Sequence, residues 1–174
     1  MSVDLKARLQ KVKLVIFDVD GVLTNGKINV DDNGREFKMF DVQDGFGIVL
    51  FRKAGYKTAI ISARASNAVK ARAADLQIDK VYLDAFPKID AYRDLVKELK
   101  LDDSEVCFMG DDLPDLNLLK QVGFSVAVAN ASEDVKRHAH YITKKRGGEG
   151  AVREVLELIL KAHGKWDEIL ERLS

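Results

Sequence analysis

Two clusters of aspartates are the residues of this sequence best suited to chemistry. They comprise Asp18, Asp20, Asp111, Asp112 and Asp115. The first cluster follows the apolar run 14–17, and the second follows the apolar run 106–109. Such a density of carboxylates needs a cation, and oxygen-only ligands suit a hard ion such as Mg²⁺. The alternative interpretation is that these aspartates only cap the turns and helices that follow them.

Three further residues could hold an anion beside these carboxylates. Gly21 allows a sharp turn with free backbone N–H groups. Ser62 follows the apolar run 58–61, and Lys88 begins a helical stretch after a proline. Ser62 could instead be a helix N-cap, and Lys88 could be a solvated surface lysine. The order of the set favours a site, because each member ends a predicted strand or begins the next helix.

The elements that must position these residues alternate along the chain. The predicted strands are 14–17, 58–61, 80–83, 106–109, 125–128 and 141–142. The predicted helices are 43–54, 66–76, 88–99, 113–121, 133–138 and 150–162. Short, continuously apolar strands suit a sheet that is covered on both faces, and the alternation implies parallel strands. We therefore predict a doubly wound α/β fold with its site beyond the carboxyl ends of the strands.

Two segments depart from this alternation within what we expect to be one domain, residues 1–174. Residues 27–40 are typical of a β-hairpin with an Asn33-Gly34 turn. One hairpin alone is marginally stable in water, so it needs a partner surface. Residues 147–174 combine a glycine-rich segment, a helix and an amphipathic end around Trp166.

The composition argues against several partners. Twenty-eight basic residues balance 28 acidic ones, which disfavours nucleic acid and anionic membranes as partners. Cys107 is the single cysteine, so no intrachain disulfide is possible. The longest apolar runs are far shorter than the roughly 20 residues that cross a bilayer. We expect a cytoplasmic protein with no membrane partner.

At the residues described above, the sequence resembles the haloacid dehalogenase superfamily of phosphatases, which has a Rossmann-like core. The matching motifs, in the order of that family, are DVDGV, IIS, PK and GDDLPD. The resemblance implies that Asp18 attacks phosphorus and becomes an aspartyl-phosphate, while Asp20 is general acid and then general base. It implies Mg²⁺ bound by the Asp18 side chain, the Asp20 carbonyl and Asp111. Ser62 and Lys88 would hold the phosphoryl oxygens.

The same resemblance gives the remaining acidic residues supporting roles. Asp115 is expected to orient Lys88 or a metal-bound water, and Asp112 is the less defined neighbour in that cluster. Many superfamily members carry a cap domain over the site. No gap between the motifs of this chain has room for one, so we expect a bare core unless another subunit covers it.

A closer resemblance covers nearly the whole chain, to the capless, tetrameric group of 3-deoxy-D-manno-octulosonate 8-phosphate phosphatases. The matching segments are DVDGVLTNG, the hairpin, FDVQDGFGI, IISAR and GGEGAVRE. The resemblance implies hydrolysis of that sugar-acid phosphate in lipopolysaccharide precursor synthesis. It also implies a homotetramer assembled through the hairpins and a C-terminal tail that closes over the pocket.

Several residues are candidates for contacts to the sugar. Arg64 could clamp the sugar-acid carboxylate in bidentate fashion, or it could be a surface charge. Thr24, Asn25 and Lys27 could contact hydroxyl groups, and Asp44 could line the pocket from a neighbouring loop. The group usually has Thr-Gly-Arg where this chain has Ser-Ala-Arg.

Two other functions stay open from the sequence. One is a nonulosonate 9-phosphate phosphatase or a broad sugar phosphatase; the nonulosonate group has a glutamate at the position of Arg64. The other is a non-catalytic oligomerisation module, which the intact carboxylates of the motifs argue against.

Overall fold

Six parallel strands form the central sheet of this chain, whose computed structural model describes residues 3–173. Numbered along the chain with the two short strands of a hairpin, the strands are β1 (Leu14–Phe17), β2 (Asn29–Val30), β3 (Glu36–Phe37), β4 (Lys57–Ile61), β5 (Lys80–Tyr82), β6 (Val106–Gly110), β7 (Phe124–Ala127) and β8 (Tyr141–Ile142). The order across the sheet is β5-β4-β1-β6-β7-β8, with parallel neighbours throughout.

Eight α-helices accompany the strands within the described residues 3–173. They are α1 (Val3–Leu9), α2 (Val42–Lys53), α3 (Asn67–Asp75), α4 (Lys88–Leu99), α5 (Leu116–Gln121), α6 (Glu133–His138), α7 (Ala151–Ala162) and α8 (Trp166–Leu173). The prediction of a doubly wound α/β fold is confirmed, and no segment among residues 3–173 forms a cap domain over the sheet. Helix α1 was not predicted, and the segment around Trp166 is helical.

The two central strands explain where the site lies. β1 and β6 are buried along their whole length, because helices cover both faces of the sheet. In the register of the sheet, Phe17 is level with Ile60 of β4 and with Met109 of β6. The residues that follow these strands therefore emerge side by side at the carboxyl edge, where an open α/β sheet binds its ligand.

The hairpin forms as a separate two-stranded sheet. β2 and β3 pair antiparallel, with Val30 level with Glu36. The Asp31 carboxylate closes the turn, because its Oδ1 accepts the backbone N–H groups of Asn33 at 2.9 Å and Arg35 at 2.8 Å. Only Gly34 of this turn has a positive φ, of 75°, so the turn is not a two-residue Asn-Gly turn with both residues left-handed.

The C-terminal helices pack beside α2 rather than over the sheet edge. The apolar face of α7 is buried and contacts α2. α8 begins at the buried Trp166, whose ring lies between the Arg153 guanidinium, 5.2 Å from its centroid, and the Lys161 ammonium at 5.3 Å. Among residues 3–173, no helix is both long and apolar enough to span a membrane.

Candidate active site

Asp18 lies at the carboxyl end of β1, in the middle of the sheet edge. Its backbone N–H donates to the Met109 carbonyl at 3.0 Å, which continues the ladder between β1 and β6. The residue is 7% exposed. The chain then turns sharply through residues 19–23, and Gly21 has a φ of 97°. A Cβ on Gly21 would lie 1.9 Å from Asp111 Oδ2, so this turn requires glycine in both conformation and space.

Thr24 closes this turn from inside. Its hydroxyl donates to the Val19 carbonyl at 3.2 Å and accepts the backbone N–H groups of Gly21 and Gly26, each at 3.3 Å. Thr24 is buried, and its contact to the sugar stays a prediction. Asn25 and Lys27 are exposed, and the structure does not bring them to the wall of the cleft described below.

Asp115 organises the second carboxylate cluster. Its Oδ2 accepts the backbone N–H of Asp111 at 2.9 Å and that of Asp112 at 3.3 Å. Its Oδ1 accepts from the Lys88 ammonium at 2.6 Å. Asp115 is buried, whereas Asp112 is exposed at the rim. Both oxygens of Asp115 are therefore committed to holding its neighbours.

Lys88 joins the two clusters. Its ammonium lies 2.6 Å from Asp18 Oδ1 as well as 2.6 Å from Asp115, and the side chain is 3% exposed. Burial alone would lower the pKa of Lys88, but the charges of Asp18 and Asp115 outweigh it and raise the pKa, so the side chain is a fixed cation. The alternative of a solvated surface lysine is wrong.

The carboxylates fit a hard cation. Asp18, Asp111 and Asp115 each offer an oxygen within 4.8 Å of the others. Burial, followed by the charge of Asp115, raises the pKa of Asp18 to about 7. Burial, followed by the charge of Asp18, raises the pKa of Asp111 to about 8. Because Asp115 is already engaged, Asp18 and Asp111 are the carboxylates left to hold a cation, and an all-oxygen set suits Mg²⁺.

Ser62 faces the same space from the end of β4. Its side chain is buried, and its Oγ accepts the Arg64 backbone N–H at 3.4 Å. Helix α3 begins at Asn67 with Ser66 at its N-cap position, so the alternative of Ser62 as a helix cap is wrong. Ala63 has no positive φ, so the Ser-Ala-Arg loop adopts an ordinary backbone conformation here.

One cleft of about 300 Å³ brings most of the predicted residues together. The predicted site residues that line it are Asp18, Asp20, Ser62, Arg64, Lys88, Asp111, Asp112 and Asp115. Gly26, Ile28, Ala63 and Pro114 complete the wall. Lining residues thus come from four chain segments that are far apart in sequence but adjacent at the sheet edge.

Two hairpin residues that were not predicted enter the site. Lys38 Nζ lies 2.5 Å from Asp20 Oδ1 and 3.0 Å from Glu36 Oε1. Arg64 Nη2 lies 2.5 Å from Glu36 Oε2, and Arg64 Nε is 4.0 Å from Asp20 Oδ2. The Lys38 hydrogen bond is the largest cause that lowers the pKa of Glu36. Burial opposes it, and the charges of Lys38 and Arg64 add to the lowering. The signal in the sequence was the alternation of polar and apolar residues along 36–39.

Asn130 is a third residue that the sequence did not reveal. It follows β7, and its Nδ2 donates to the Gly21 carbonyl at 3.1 Å while its Oδ1 accepts the Gly147 N–H at 2.6 Å. Gly148 N–H donates to the Val22 carbonyl at 3.0 Å. A Cβ on Gly147 would lie 1.6 Å from the Gly21 oxygen. The glycine-rich segment therefore packs directly on the turn after Asp18. A single asparagine at a strand end gave no distinctive pattern.

Asp44 does not line the cleft, although the sequence suggested it. The side chain is buried, and its Oδ1 accepts the Arg153 N–H at 2.7 Å while Oδ2 accepts the Gly150 N–H at 3.3 Å. Burial raises the pKa of this carboxyl to about 6. Asp44 thus ties α2 to the start of α7.

The C-terminal tail does not close over the cleft of its own subunit. No residue among 116–173 lines that cleft. The physical reason is that Trp166 and Ile169 give α8 an apolar face that packs against the body beside α7. Within one subunit, this part of the expectation from the resemblance is not met.

This arrangement can hold and transfer a phosphoryl group. A buried carboxylate, Asp18, faces open space beside an ammonium and a hydroxyl, and Asp20 stands next to it as a possible proton carrier. Positive charge at the oxygens of a transferring phosphoryl group is the main requirement for such chemistry.

Comparisons with known proteins agree on one family. A family model of haloacid dehalogenase-like hydrolases matches residues 81–156. The 3-deoxy-D-manno-octulosonate 8-phosphate phosphatase KdsC of Escherichia coli (strain K12) is 42% identical over 168 residues, which are 97% of this chain and 89% of that protein.

Solved structures extend the similarity to three dimensions. The 3-deoxy-D-manno-octulosonate 8-phosphate phosphatase of Moraxella catarrhalis, in complex with magnesium, phosphate and KDO, is 38% identical with a TM-score of 0.97 over 100% of both chains. The cobalt-bound phosphatase of Haemophilus influenzae is 39% identical with a TM-score of 0.88, covering 91% of this chain and 93% of that one.

Proposed function

Because the chain belongs to the haloacid dehalogenase-like hydrolases, in the group of 3-deoxy-D-manno-octulosonate 8-phosphate phosphatases, we propose that it hydrolyses this sugar-acid phosphate to the free sugar acid and phosphate. The observation that carries the proposal is the contact of buried Asp18 with Lys88 in a cleft that also contains Ser62 and Arg64. The reaction would belong to the synthesis of lipopolysaccharide precursors.

Asp18 and Asp20 divide the chemistry in this proposal. The Asp18 carboxylate attacks phosphorus, the bond from phosphorus to the sugar oxygen breaks, and Asp20 gives its proton to that oxygen. Asp20 then takes a proton from the water that attacks the aspartyl-phosphate, which releases phosphate and restores Asp18. The Ser62 hydroxyl and the Lys88 ammonium hold the phosphoryl oxygens. Their burial supports this role, because charges act more strongly away from water.

Mg²⁺ is the cofactor in the proposed reaction, and the oxygen donors of the site fit this ion. The Asp18 side chain, the Asp20 carbonyl and Asp111 would hold the ion, while Asp115 keeps Lys88 and the Asp111 backbone in place. When bound, the ion supplies positive charge to the phosphoryl oxygens. The pKa values of Asp18 and Asp111 are raised, so both carboxylates are costly to ionise without a cation. This supports the assignment, since a neighbouring cation would favour the ionised form of both.

Arg64 is the proposed contact for the carboxylate of the sugar acid. It lies at the open side of the cleft, half exposed, and its guanidinium suits a carboxylate in a two-pronged pair. Without substrate, the Arg64 guanidinium is paired with Glu36. The substrate carboxylate would either displace Glu36 or bind the guanidinium beside it. Arg64 also favours the eight-carbon substrate over a nonulosonate 9-phosphate, whose phosphatases carry glutamate there.

Assembly and location are part of the same proposal, which treats residues 1–174 as one phosphatase domain. A homotetramer is supported by the exposed apolar side chains of the hairpin, which are Ile28, Val30, Phe37 and Met39. A cytoplasmic location is supported only by the single buried cysteine, which needs no oxidising compartment. Thr24, Asn25 and Lys27 stay predictions as sugar contacts.

The test is phosphate release from 3-deoxy-D-manno-octulosonate 8-phosphate beside a panel of sugar phosphates, with Mg²⁺ and with chelator. We expect strong preference for that substrate and no release in chelator. Asp18→Asn should abolish release with the fold intact, whereas Asp90→Asn, on the exposed side of α4, should leave it unchanged. Full activity of Asp18→Asn would refute covalent catalysis.

Arg64→Ala separates the substrate from the mechanism. We expect kcat/KM for the sugar-acid phosphate to fall at least tenfold, with little change for phosphates that lack a carboxylate. Arg93→Ala, at an exposed position of α4, is the matched control. An unchanged kcat/KM in Arg64→Ala would leave a broad sugar phosphatase as the function.

A further inference from the structure

The strand β3 and the residues after it present two different faces. Phe37 and Met39 are 52% and 67% exposed, whereas Lys38 between them is 3% exposed at its side chain. Glu36 lies on the same face as Lys38, as the two-residue period of extended chain requires. The apolar face thus points away from the site, and the charged face points into it.

Lys38 is placed on one particular oxygen of the site. Its ammonium lies 2.5 Å from Asp20 Oδ1, and its second carboxylate partner is Glu36 at 3.0 Å. Arg64, also held by Glu36, is 4.0 Å from the other oxygen of Asp20. Asp20 Oδ1 is therefore hydrogen-bonded to Lys38, which leaves Oδ2 as the oxygen that can exchange a proton with a substrate.

Fixing the hairpin to the body does not require this arrangement. Burying an ammonium is costly unless carboxylates compensate it, and an apolar side chain could anchor the hairpin without that cost. The two carboxylates that compensate Lys38 are not equivalent, because Glu36 belongs to the hairpin itself and Asp20 belongs to the turn after Asp18. The ammonium joins the hairpin to the residue that exchanges protons.

We propose that Lys38 is a positioning residue that holds the Asp20 carboxylate in the orientation for proton transfer, with Glu36 holding Lys38 in place. The inference rests on the role of Asp20 in the proposed function. A side chain such as aspartate otherwise rotates about its χ1 and χ2 bonds, and misplacement of a catalytic group by about 1 Å costs on the order of 100-fold in rate. The hairpin then contributes to the reaction of its own subunit.

Lys38→Met tests the proposal on the sugar-acid phosphate. General acid–base catalysis contributes about 10²- to 10⁴-fold, so we expect kcat to fall about 10- to 100-fold while KM changes less than about threefold. Lys38→Arg should restore most of kcat, because a guanidinium can also bind both carboxylates. Arg35→Met removes an exposed cation from the same hairpin and should match the unmodified chain.

Aryl phosphates separate positioning from a general loss of structure. Phenyl and 4-nitrophenyl phosphate differ by one para nitro group, and phenolate, the more basic leaving group, depends far more on receiving a proton as it leaves. In Lys38→Met, kcat/KM should fall several-fold more for phenyl phosphate than for 4-nitrophenyl phosphate. An equal loss for both, or a change in KM alone, would overturn the positioning role.

The proposed function fails separately from this inference. Absence of phosphate release by the unmodified chain would remove the proposed function itself. Full activity in Asp20→Asn would leave that function in place but remove the proton-transfer role of Asp20, and with it this inference. Release by the unmodified chain together with full activity of Lys38→Met would remove only the role of Lys38. Circular dichroism of each variant shows that the compared proteins are folded.

Discussion

Asp111 is destabilising in its ionised form when no cation is bound. Burial and then the charges of Asp18, Asp115 and Asp112 raise its pKa from 3.8 to about 8. The folded chain therefore keeps this proton to a higher pH than the unfolded chain does. The free energy of unfolding therefore falls as the pH rises from 3.8 to about 8. Above that range Asp111 is ionised in both states, and the full loss of stability is present.

Asp111→Asn should stabilise the chain while removing its activity. In chelator at pH 9, we expect the melting temperature to rise by about 2–4 °C for each 1 kcal/mol of repulsion relieved at this chain length. At pH 6 the difference should shrink, because Asp111 is then protonated in the unmodified chain. Differential scanning fluorimetry across this pH range measures both effects.

Excess Mg²⁺ provides the counterpart of that experiment. The ion binds only the folded chain, so the melting temperature of the unmodified protein should rise with its concentration. Asp111→Asn should show little such rise, whereas Asp90→Asn should behave as the unmodified chain. A lower melting temperature of Asp111→Asn at every pH would contradict electrostatic strain at this position.

Position in the sheet decided which residues could be predicted. Ser62, Lys88 and Asp115 were found because they follow strands or open a helix at the carboxyl edge. Lys38 and Glu36 contact the cleft residues Asp20 and Arg64 from an inserted hairpin, whose docking depends on contacts that periodicity does not encode. The Thr24 hydroxyl is hydrogen-bonded to three backbone groups of its own turn, which the sequence did not indicate, and its contact to the sugar stays a prediction.

At the scale of elements, Asp44 connects two helices that are distant in sequence. Its carboxylate accepts N–H groups at the start of α7, where the first turn of a helix has no internal acceptors. The same start of α7 follows the glycines that pack against the turn after Asp18. A side chain on α2 therefore fixes the entry of the chain into α7.

Asp44→Ala should destabilise the protein by about 1–2 kcal/mol, because two N–H groups lose their acceptor. Urea denaturation followed by circular dichroism measures the change. Asp44→Asn keeps an acceptor oxygen and should retain much of the stability. An Asp44→Ala protein as stable as the unmodified chain would show that solvent satisfies the start of α7.

Ionisation of Asp44 makes the stability of the protein depend on pH. Its pKa is raised from 3.8 to about 6, so the free energy of unfolding falls as the pH rises through that interval. Asp44→Asn should lack this contribution, which makes it less dependent on pH than the unmodified chain between pH 4 and 6.

The strands were easier to predict than the ends of the chain. Each strand of the central sheet is a short apolar run, so its position was readable to within one or two residues. Helix α1 was missed because only Leu5 and Leu9 of its seven residues are large and apolar enough to face the core. Within one subunit, the burial of Trp166 beside α7 holds the tail away from the cleft, and closure of the tail over the cleft of another subunit stays a prediction.

For the whole molecule, the exposed apolar face of the hairpin is the main evidence for assembly. Phe37 and Met39 are more than half exposed in the single chain. Apolar side chains grouped on a two-stranded element need a second surface, since such an element is marginal alone.

Phe37→Ser combined with Met39→Ser should shift the protein from the proposed tetramer toward smaller species. Light scattering coupled to size-exclusion chromatography measures the mass. Val3→Ser changes an 88% exposed residue of α1 and is the matched control. A doubly substituted protein with unchanged mass would place the subunit interface elsewhere.

The contact between Gly147 and Gly21 also sets the order in which the molecule can be completed during synthesis. The turn after Asp18 leaves the ribosome early, but its Gly21 carbonyl accepts from Asn130 and its Val22 carbonyl from Gly148, both much later in the chain. A ribosome must therefore have released most of the chain before the nucleophile turn is held in place. A nascent or truncated chain that ends before this glycine pair would carry the reactive carboxylates without the segment that fixes their geometry.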